Sequence, residues 1–372
     1  MAGIYLHIPF CASRCIYCGF FSSTRADRMP AYVDALCREM QLRHAYLPAG
    51  SKIESIYLGG GTPSQLSPDA LEKIFCHLYY IYKVEEDTEV TIECNPDDVT
   101  PLFAEGLRSL PINRVSMGAQ TFSDNRLRFL HRRHSASQVG EAIERLRGAG
   151  IRNISIDLMF GFPDESMEDW HDDLQRAIAL QVEHLSAYSL MYEEQTPLHR
   201  LLQQGKVREI SEEQSVNMYE MLIDTMTEAG FEHYEISNFA RPGHRSRHNS
   251  SYWKAVPYIG IGAAAHSYDL LSRQWNVADL EAYIGAIGRN EIPAEREMLD
   301  EATRYDDLVT TALRTREGIR LEDLPAKYRS YLLDNARPHL DRHLLIQENG
   351  CLHLTREGLF ISDSIMADLM YV

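Results

Sequence analysis

Residues 5–18 are Tyr5-Leu-His-Ile-Pro-Phe-Cys11-Ala-Ser-Arg-Cys15-Ile-Tyr-Cys18, an apolar run followed by three closely spaced cysteines. The β-rich run at 4–8 predicts a strand, and the cysteines fall in the loop directly after it. Three cysteines within eight residues favour metal ligation in a reducing compartment over disulfide pairing. We therefore predict that this loop holds a metal centre on three thiolates.

Two kinds of metal centre suit thiolate ligands, an iron-sulfur cluster and zinc. A 4Fe-4S cluster on Cys11, Cys15 and Cys18 keeps one iron free of protein ligands, and this is the centre that we predict. Zinc is the alternative, with His7 as a fourth ligand. Against zinc, His7 belongs to a strand that is predicted to be buried, and zinc sites usually pair two C-x-x-C-like hooks.

The composition is that of a globular protein with a sizeable core. Hydrophobic residues make up 44% of the 372 residues and charged residues 24%, and this length predicts two folded units. The formal net charge of -17 repels polyphosphates, so nucleic acid is not an expected partner. The four scattered cysteines are predicted to be small core residues: Cys37, Cys76, Cys94 and Cys351.

The location of the protein is predicted from what the sequence lacks. No apolar run approaches the roughly 18 residues that a membrane span needs. The first eleven residues have neither the cationic segment nor the apolar stretch of a secretion signal. We therefore expect a cytoplasmic protein.

Short β-rich runs alternate with segments of helical period up to about residue 230, which predicts parallel strands joined by crossover helices. The predicted strands are 4–8, 55–58, 89–93, 114–117, 153–158 and 184–190. The predicted helices are 30–45, 68–80, 102–110, 136–149, 167–179 and 211–228. Six such units are fewer than the eight of a closed barrel. The expected fold is therefore α/β, a partial (βα)6 TIM-like barrel with a wide mouth.

The chain is predicted to divide into a core domain at 1–235, a connecting region at 236–297 and a small C-terminal domain at 298–372. In the last of these, helical patterns at 302–315 and 328–342 precede a hairpin at 344–354 that turns at Asn349-Gly350. A helix-and-hairpin unit of this kind predicts an α+β, winged-helix-like domain. Because the segment is not strongly basic, we favour a packing or lid role over DNA binding.

The polar and glycine-rich segments directly follow predicted strands. They include Gly59-Gly60-Gly61-Thr62-Pro63, Glu93 in Ile-Glu-Cys-Asn-Pro, and Asp157 in Ile-Asp-Leu-Met-Phe-Gly. Because the carboxyl ends of parallel strands meet at one face, these segments are expected to lie close together. Three consecutive glycines let the backbone approach a ligand, although a tight turn before the next helix would also explain them.

The pattern C-x-x-x-C-x-aromatic-C after the first strand of a partial barrel resembles the signature of the radical S-adenosylmethionine (SAM) superfamily. The resemblance implies that the free iron binds the amino and carboxylate groups of SAM and delivers an electron that splits its carbon-sulfur bond. By the same resemblance, SAM would be held by Tyr5, Gly60, Gly61, Thr62, Glu93, Gln120, Arg132 and Asp157.

Each of these assignments implies a specific contact. Gly60, Gly61, Thr62 and Glu93 would hold the amino group of SAM. Gln120 and Asp157 would contact its ribose, Arg132 its carboxylate, and Tyr5 its methionine end. Alternatives stay open: Arg133 competes with Arg132, Glu93 also suits a solvated strand end, and Tyr5 with His7 also suits a buried structural pair.

Within this superfamily, the sequence is similar to the oxygen-independent coproporphyrinogen III oxidase family. The similar segments are residues 5–11, the glycine turn, 116–120 and 156–161. The oxidase proper has a further cysteine two residues beyond the third ligand and a long N-terminal extension. This chain has Gly19-Phe20 in that place and four residues before Tyr5. Both departures count against decarboxylase activity and point to the branch of HemW-like heme chaperones.

That branch has a His-Asn-x-x-Tyr-Trp sequence, which residues 248–253 match and which we call the HNxxYW motif. The resemblance implies heme binding by His248, Tyr252 and Trp253. A neutral histidine can ligate heme iron, and the two aromatic rings offer flat apolar faces to a macrocycle. An aromatic loop anchor with a structural histidine is the alternative.

Two functions follow from the resemblance. The favoured one is a chaperone that holds a 4Fe-4S cluster, SAM and heme and delivers heme to apo-cytochromes or respiratory membrane enzymes. The alternative is a radical SAM enzyme acting on a tetrapyrrole, as an oxygen-independent coproporphyrinogen III dehydrogenase or a heme-modifying enzyme. Expected partners are a heme-accepting apoprotein and an electron donor such as a flavodoxin or ferredoxin. Any membrane contact is expected to be peripheral and partner-mediated, and a homodimer is left open.

Overall fold

The first strand sets the pattern of the main sheet. In β1 (Ala2–Ile8), Ile4, Leu6 and Ile8 are fully buried in the hydrophobic core, so Tyr5 and His7 face the opposite side. The structure, a computed structural model, describes residues 1–48 and 50–371. Val372, the last residue of the predicted C-terminal domain, lies outside the described residues.

The six predicted strands and the six predicted helices are confirmed. The parallel strands are β1, β2 (Ile53–Gly60), β3 (Val84–Cys94), β4 (Arg114–Gln120), β5 (Asn153–Phe160) and β6 (His184–Ser189), paired in chain order. The helices up to residue 228 are α1 (Met29–Leu42), α2 (Pro68–Ile81), α3 (Pro101–Leu107), α4 (Asp124–Phe129), α5 (Ala136–Gly148), α6 (Met167–Ala179), α7 (Pro197–Gln203) and α8 (Glu212–Glu228). The short helices α4 and α7 were not predicted.

Residues 232–298 extend the same sheet at both of its ends. Their elements are β7 (Glu232–Glu235), β8 (Asn238–Ala240), α9 (Arg247–Trp253), β9 (Tyr258–Ile261), β10 (His266–Tyr268), β11 (Ser272–Asn276), α10 (Leu280–Gly288) and β12 (Ala294–Met298). β9 pairs in parallel with β1, and β8 pairs antiparallel with β6. Within the described ranges the sheet runs from β12 to β7 without closing, so the barrel is partial, as predicted. The division of the chain at residues 235 and 297 stays a prediction.

The C-terminal residues build a second, smaller sheet with its own hydrophobic cluster. Its elements are α11 (Glu301–Ala312), β13 (Ile319–Arg320), α12 (Ala326–Asp341), β14 (Leu345–Glu348), β15 (Cys351–Leu354), α13 (Arg356–Leu359) and α14 (Ser362–Leu369). The predicted hairpin is confirmed as β14 and β15, and Asn349 and Gly350 both have the positive φ that its turn needs. A small α+β unit is therefore present at the C-terminal end.

Two sequence expectations concern residues outside the site. In the part of the chain that the structure covers, no helix is both long and apolar enough to cross a bilayer. Of the scattered cysteines, Cys37 and Cys94 are buried, but Cys76 is exposed on α2 and Cys351 is partly exposed. The prediction of a core position was therefore wrong for Cys76, which lies on the outer face of its helix.

A buried carboxylate joins the sheet extension to the barrel. Glu39 on α1 is fully buried and accepts hydrogen bonds from Arg43 Nη1 at 2.9 Å and Asn276 Nδ2 at 2.7 Å. It also accepts bonds from the backbone N–H of Gly262 at 2.8 Å and the hydroxyl of Tyr283 at 2.5 Å. One side chain thus fastens the β9–β11 segment and α10 against α1.

We expect Glu39→Ala to lower the free energy of unfolding by about 3–5 kcal/mol, because Arg43 is then left as a buried charge without its partner. The matched control is Glu281→Ala, which breaks exposed ion pairs with Arg25 and Arg28 and should cost no more than about 1 kcal/mol. Urea unfolding followed by circular dichroism measures both. Equal losses in the two variants would contradict a structural role for Glu39.

Candidate functional site

The carboxyl ends of β1–β6 surround a cavity of about 470 Å³. The structure brings ten of the sequence-predicted site residues to its wall: Cys11, Cys15, Cys18, Gly60, Gly61, Thr62, Glu93, Gln120, Arg132 and Asp157. The expectation that segments after parallel strands meet at one face is therefore met by the geometry. Tyr5 and the three residues of the predicted heme site do not line this cavity.

The cysteine loop is held over the cavity by backbone hydrogen bonds at both ends. The Cys11 N–H donates to the carbonyl of Ser23 at 3.0 Å, and the Ile16 N–H donates to the carbonyl of Leu130 at 3.2 Å. Ile16 itself is buried. The cysteine loop is thereby fixed to the segment after β4. In this position, the thiols of the loop face the residues predicted to hold SAM.

Two of the thiols contact polar side chains from the segments that follow β2 and α4. Thr62 Oγ1 donates to Cys11 Sγ at 3.4 Å, and Arg132 Nη1 approaches Cys15 Sγ at 3.7 Å. Both donors stabilise negative charge on sulfur, and a thiolate is the form that binds a metal. The surroundings of the loop therefore suit an anionic cluster.

His7 is not free to serve as the fourth ligand of a zinc ion, because both of its ring nitrogens have partners. Across residues 1–48 and 50–371, no group of three His, Cys, Asp or Glu side chains converges on one metal position. A cubane takes each thiolate at a different iron, whereas zinc needs all ligands within about 2.3 Å of one point. Both ring nitrogens of His7 are engaged, Nδ1 by the hydroxyl of Tyr5 at 3.0 Å and Nε2 by the carbonyl of Phe21 at 3.1 Å.

The glycine turn is shaped by contacts with β1. Gly60 has φ +106°, and a Cβ on it would clash with the ring of His7. A Cβ on Gly61 would lie 2.8 Å from the carbonyl oxygen of Ile8. Packing alone therefore requires both glycines, and this packing places the turn and Thr62 against the cavity.

Glu93, the last residue but one of β3, lines the cavity. Its carboxylate accepts a hydrogen bond from the hydroxyl of Tyr57 at 2.8 Å and from the N–H of Gly60 at 3.2 Å. Burial raises the pKa of Glu93 from its ordinary value of 4.5 to about 7, although the Tyr57 hydrogen bond lowers it. A cationic ligand such as an ammonium group would lower this pKa again and stabilise the buried carboxylate.

The ends of β4 and β5 supply the two residues predicted to contact ribose. The pairing of β4 with β5 shifts by one residue between Gly118 and Gln120, and Gln120 has φ +67°. Non-glycine residues with such backbone angles cluster at functional sites. Asp157 accepts a hydrogen bond from Ser116 Oγ at 3.4 Å, and burial raises the pKa of its carboxyl group. Both side chains are hydrogen-bonding groups on the cavity wall.

The two neighbouring arginines have different partners. Arg132 Nη2 donates to Asn95 Oδ1 at 2.7 Å and to the carbonyl of Gly118 at 2.5 Å, while its Nε is buried without a partner among the described residues. Arg133 forms ion pairs with Asp97 and Asp98 instead. Arg132 therefore suits a carboxylate ligand better than Arg133, whose charge is already neutralised.

Tyr5 is placed beside the site and not in it. Its hydroxyl contacts His7, and its ring stacks near those of Tyr57 and His248, with centroids 6.3 Å away in each case. This geometry is the one expected if Tyr5 and His7 form a structural pair, which was the alternative to SAM binding. Contact between Tyr5 and SAM stays a prediction that this arrangement does not favour.

The HNxxYW motif forms α9, which packs under the barrel. His248 is buried, with Nδ1 bonded to Ser55 Oγ at 3.0 Å and Nε2 to the hydroxyl of Tyr252 at 2.9 Å. Burial lowers the pKa of His248 to about 3, so the ring is neutral. Arg314 lies over the ring of Trp253, 5.3 Å from its centroid. In this conformation neither nitrogen of His248 is placed to ligate iron, because both already have partners.

Among the cavity residues that the sequence analysis did not indicate are Tyr57 and Arg114, which belong to the barrel's hydrogen-bonding and charge network. Tyr57, on the strand that precedes the glycine turn, donates to Glu93. Arg114 is 1% exposed at the start of β4, lines the cavity, and has no ion-pair partner within the described chain. Tyr57 pairs with Tyr5 in the register of β1 and β2, so the two side chains lie on the same face of the sheet. The alternation of side chains along β2 could therefore have indicated that Tyr57 faces the barrel interior. Nothing in the sequence around Arg114 distinguishes it from an exposed strand-end arginine.

Comparison with known proteins agrees with this geometry. Residues 5–177 match the family model of the radical SAM superfamily. The heme chaperone HemW of Lactococcus lactis is 31% identical over 366 residues, covering 97% of this chain and 95% of the relative. HemW of Bacillus subtilis is 32% identical over 373 residues, covering 98% of each. This chain belongs to the HemW family.

The fold of this HemW-family chain is also that of a solved radical SAM enzyme. Coproporphyrinogen III oxidase (HemN) from Escherichia coli superimposes with a TM-score of 0.85, covering 99% of this chain and 90% of that one. The identity is 22%, so the likeness shows the fold alone. The expected radical SAM barrel with a small C-terminal α+β unit is confirmed.

For this HemW-family protein purified without ligand, we expect Glu93→Gln to remove part of the pH dependence of stability. The folded-state pKa of about 7 lies above the ordinary 4.5, so the free energy of unfolding falls as pH rises through this window. The ionisation of Glu93 lowers the free energy of unfolding by at most about 3 kcal/mol across this window. Urea unfolding at several pH values measures it.

A second variant sharpens this test. Tyr57→Phe removes the hydrogen bond that lowers the pKa of Glu93, so the decline in stability should extend to higher pH. If Glu93→Gln shows the same pH profile as the unchanged protein, Glu93 does not carry the raised pKa.

Proposed function

We propose that this protein is a heme chaperone that holds a 4Fe-4S cluster, SAM and heme, and delivers heme to an apo-cytochrome or a respiratory membrane enzyme. The observation that carries the proposal is the end-to-end similarity to relatives that are themselves named heme chaperones. The cavity supports it, because most of the residues that the radical SAM resemblance assigns to the cluster and SAM line this one cavity.

The donor set fits these groups. Cys11, Cys15 and Cys18 would bind the cluster, and Arg132, with one buried nitrogen that has no partner in the described chain, would receive the SAM carboxylate. Glu93 would accept from the ammonium group. When bound, the cluster supplies a low-potential electron and an iron with an open coordination position. The protein's own part is to orient SAM, to exclude water and to place charges that match those of the ligand.

Partners and location follow from the same proposal. The chain would work in the cytoplasm, take electrons from a flavodoxin or ferredoxin, and pass heme to the recipient by direct contact. Contact with a membrane would be peripheral and mediated by the recipient. A homodimer is compatible with this delivery but is not required for it.

We expect Cys11→Ala, Cys15→Ala and Cys18→Ala each to lose most iron and sulfide after anaerobic reconstitution, with loss of the brown chromophore, because three thiolates are needed to hold the cluster. The control is Cys76→Ala, which removes an exposed cysteine on α2 and should keep full iron content. Iron and sulfide analysis with absorption spectroscopy measures this. Equal iron in all four variants would overturn the cluster assignment.

The function itself is tested by anaerobic incubation of reconstituted protein with SAM, a reductant, and either heme or coproporphyrinogen III. A chaperone binds heme stoichiometrically, transfers it to an apo-cytochrome, and forms no new tetrapyrrole. A tetrapyrrole-modifying enzyme, the alternative, yields protoporphyrinogen or an altered heme, which chromatography detects. Either product, formed in catalytic amounts, contradicts the chaperone proposal.

A further inference from the structure

The wall of the cavity includes exposed apolar side chains. Phe20 is 70% exposed, Met191 62% and Tyr188 44%, and all three line the cavity. Exposed apolar side chains are ordinary when scattered, but a group that rims one concave site marks a binding surface. We call these three residues the mouth seat.

The mouth seat is formed by two segments that meet. Phe20 follows the cysteine loop after β1, whereas Tyr188 and Met191 lie on β6 and just after it, and β2 to β5 separate these two strands in the sheet order. The carboxylate of Glu193 nevertheless reaches Gly19, where it occupies the place that an added Cβ would take. The neighbours of Phe20 and Met191 are therefore in contact across the mouth.

A cation without a partner among the described residues lines the same cavity as the mouth seat. Arg14 is exposed on the cysteine loop and lines the cavity, and no ion pair or side-chain hydrogen bond involves it within the described chain. By contrast, Arg245 near the HNxxYW motif is paired with Glu232 and Glu317. Arg14 is therefore a cation on the cavity wall whose guanidinium is available to receive a carboxylate.

The HNxxYW motif offers no comparable surface. The Nε2 and Nδ1 atoms of His248 are bonded to Tyr252 and Ser55, and the ring stacks on Tyr57 with centroids 4.8 Å apart. Insertion of a macrocycle there would break both hydrogen bonds inside the barrel. Asn249 is the motif residue that lines the cavity.

We propose that the heme macrocycle binds on the mouth seat, with its flat face against Phe20, Tyr188 and Met191 and one propionate on Arg14. This inference rests on the proposed function and changes the site that the sequence assigned to heme. Aromatic rings and a flexible thioether suit a large planar apolar ligand. An Arg fork suits the propionate carboxylate. The HNxxYW motif then has a structural role under the barrel.

The test is a titration of the reconstituted full-length protein with hemin, followed by the Soret absorbance. The double variant Phe20→Ser with Met191→Ser should raise the Kd for hemin at least about tenfold. The double variant Phe20→Leu with Met191→Leu keeps the apolar area, so its Kd should stay within about threefold of the unchanged protein. Tyr80→Ser, at a side chain 90% exposed on α2 and away from the cavity, is the surface control. Iron and sulfide content, measured for each variant, shows that the cluster is retained.

Two further measurements separate the apolar contact from the contact with the propionate. Met191→Ser alone, remote in sequence from the cysteines, should also weaken hemin binding. Arg14→Gln should weaken binding of hemin but not of iron octaethylporphyrin, which has no propionates. If the serine variants bind hemin as tightly as the unchanged protein, the mouth seat is wrong while the chaperone proposal stands. If the unchanged protein does not bind hemin, both are overturned.

Discussion

The alternation of side chains along β1–β6 is the constraint on which the site depends. Because Ile4 and Leu6 pack into the outer core, Tyr5 and His7 have to face the barrel interior. A slip of one residue in any strand would exchange the two faces. The register that buries the core therefore also fixes which polar side chains reach the cavity, and the same pairing brings Glu93 opposite Ser116 and Gly118 opposite Asp157.

The alternation of side chains along the strands explains how much of the fold and of the site could be predicted from the sequence. The strands and helices up to residue 228 follow from hydrophobic period, and the convergence of the cysteine, glycine and acidic segments follows from parallel pairing. β9 was missed because it is only four residues long, Tyr258–Ile261, and stands in a stretch rich in Arg, His and Gly that shows no clear alternation. Arg114 was missed because its burial depends on neighbouring strands that the local sequence does not specify.

The HNxxYW motif shows the limit of residue type as a guide to role. A neutral histidine flanked by aromatic rings describes a heme ligand and a buried anchor equally well. In the structure, Ser55 and Tyr252 hydrogen-bond both ring nitrogens of His248, which favours the anchor, while heme ligation by His248 stays a prediction. The Tyr252 contact could have been anticipated, because residues four apart on a helix are neighbours. The Ser55 contact could not, because 193 residues separate the partners.

Position 20 connects the site to the family. In the oxidase branch that the sequence resembles, a cysteine stands there and adds a fourth thiol next to the cluster loop. Phenylalanine can neither ligate iron nor exchange protons, but it presents a planar apolar face, here 70% exposed at the cavity mouth. The difference removes a reactive group and adds exposed apolar surface, while the three cysteines of the loop are kept. This combination supports the proposal that the protein holds a tetrapyrrole without transforming it.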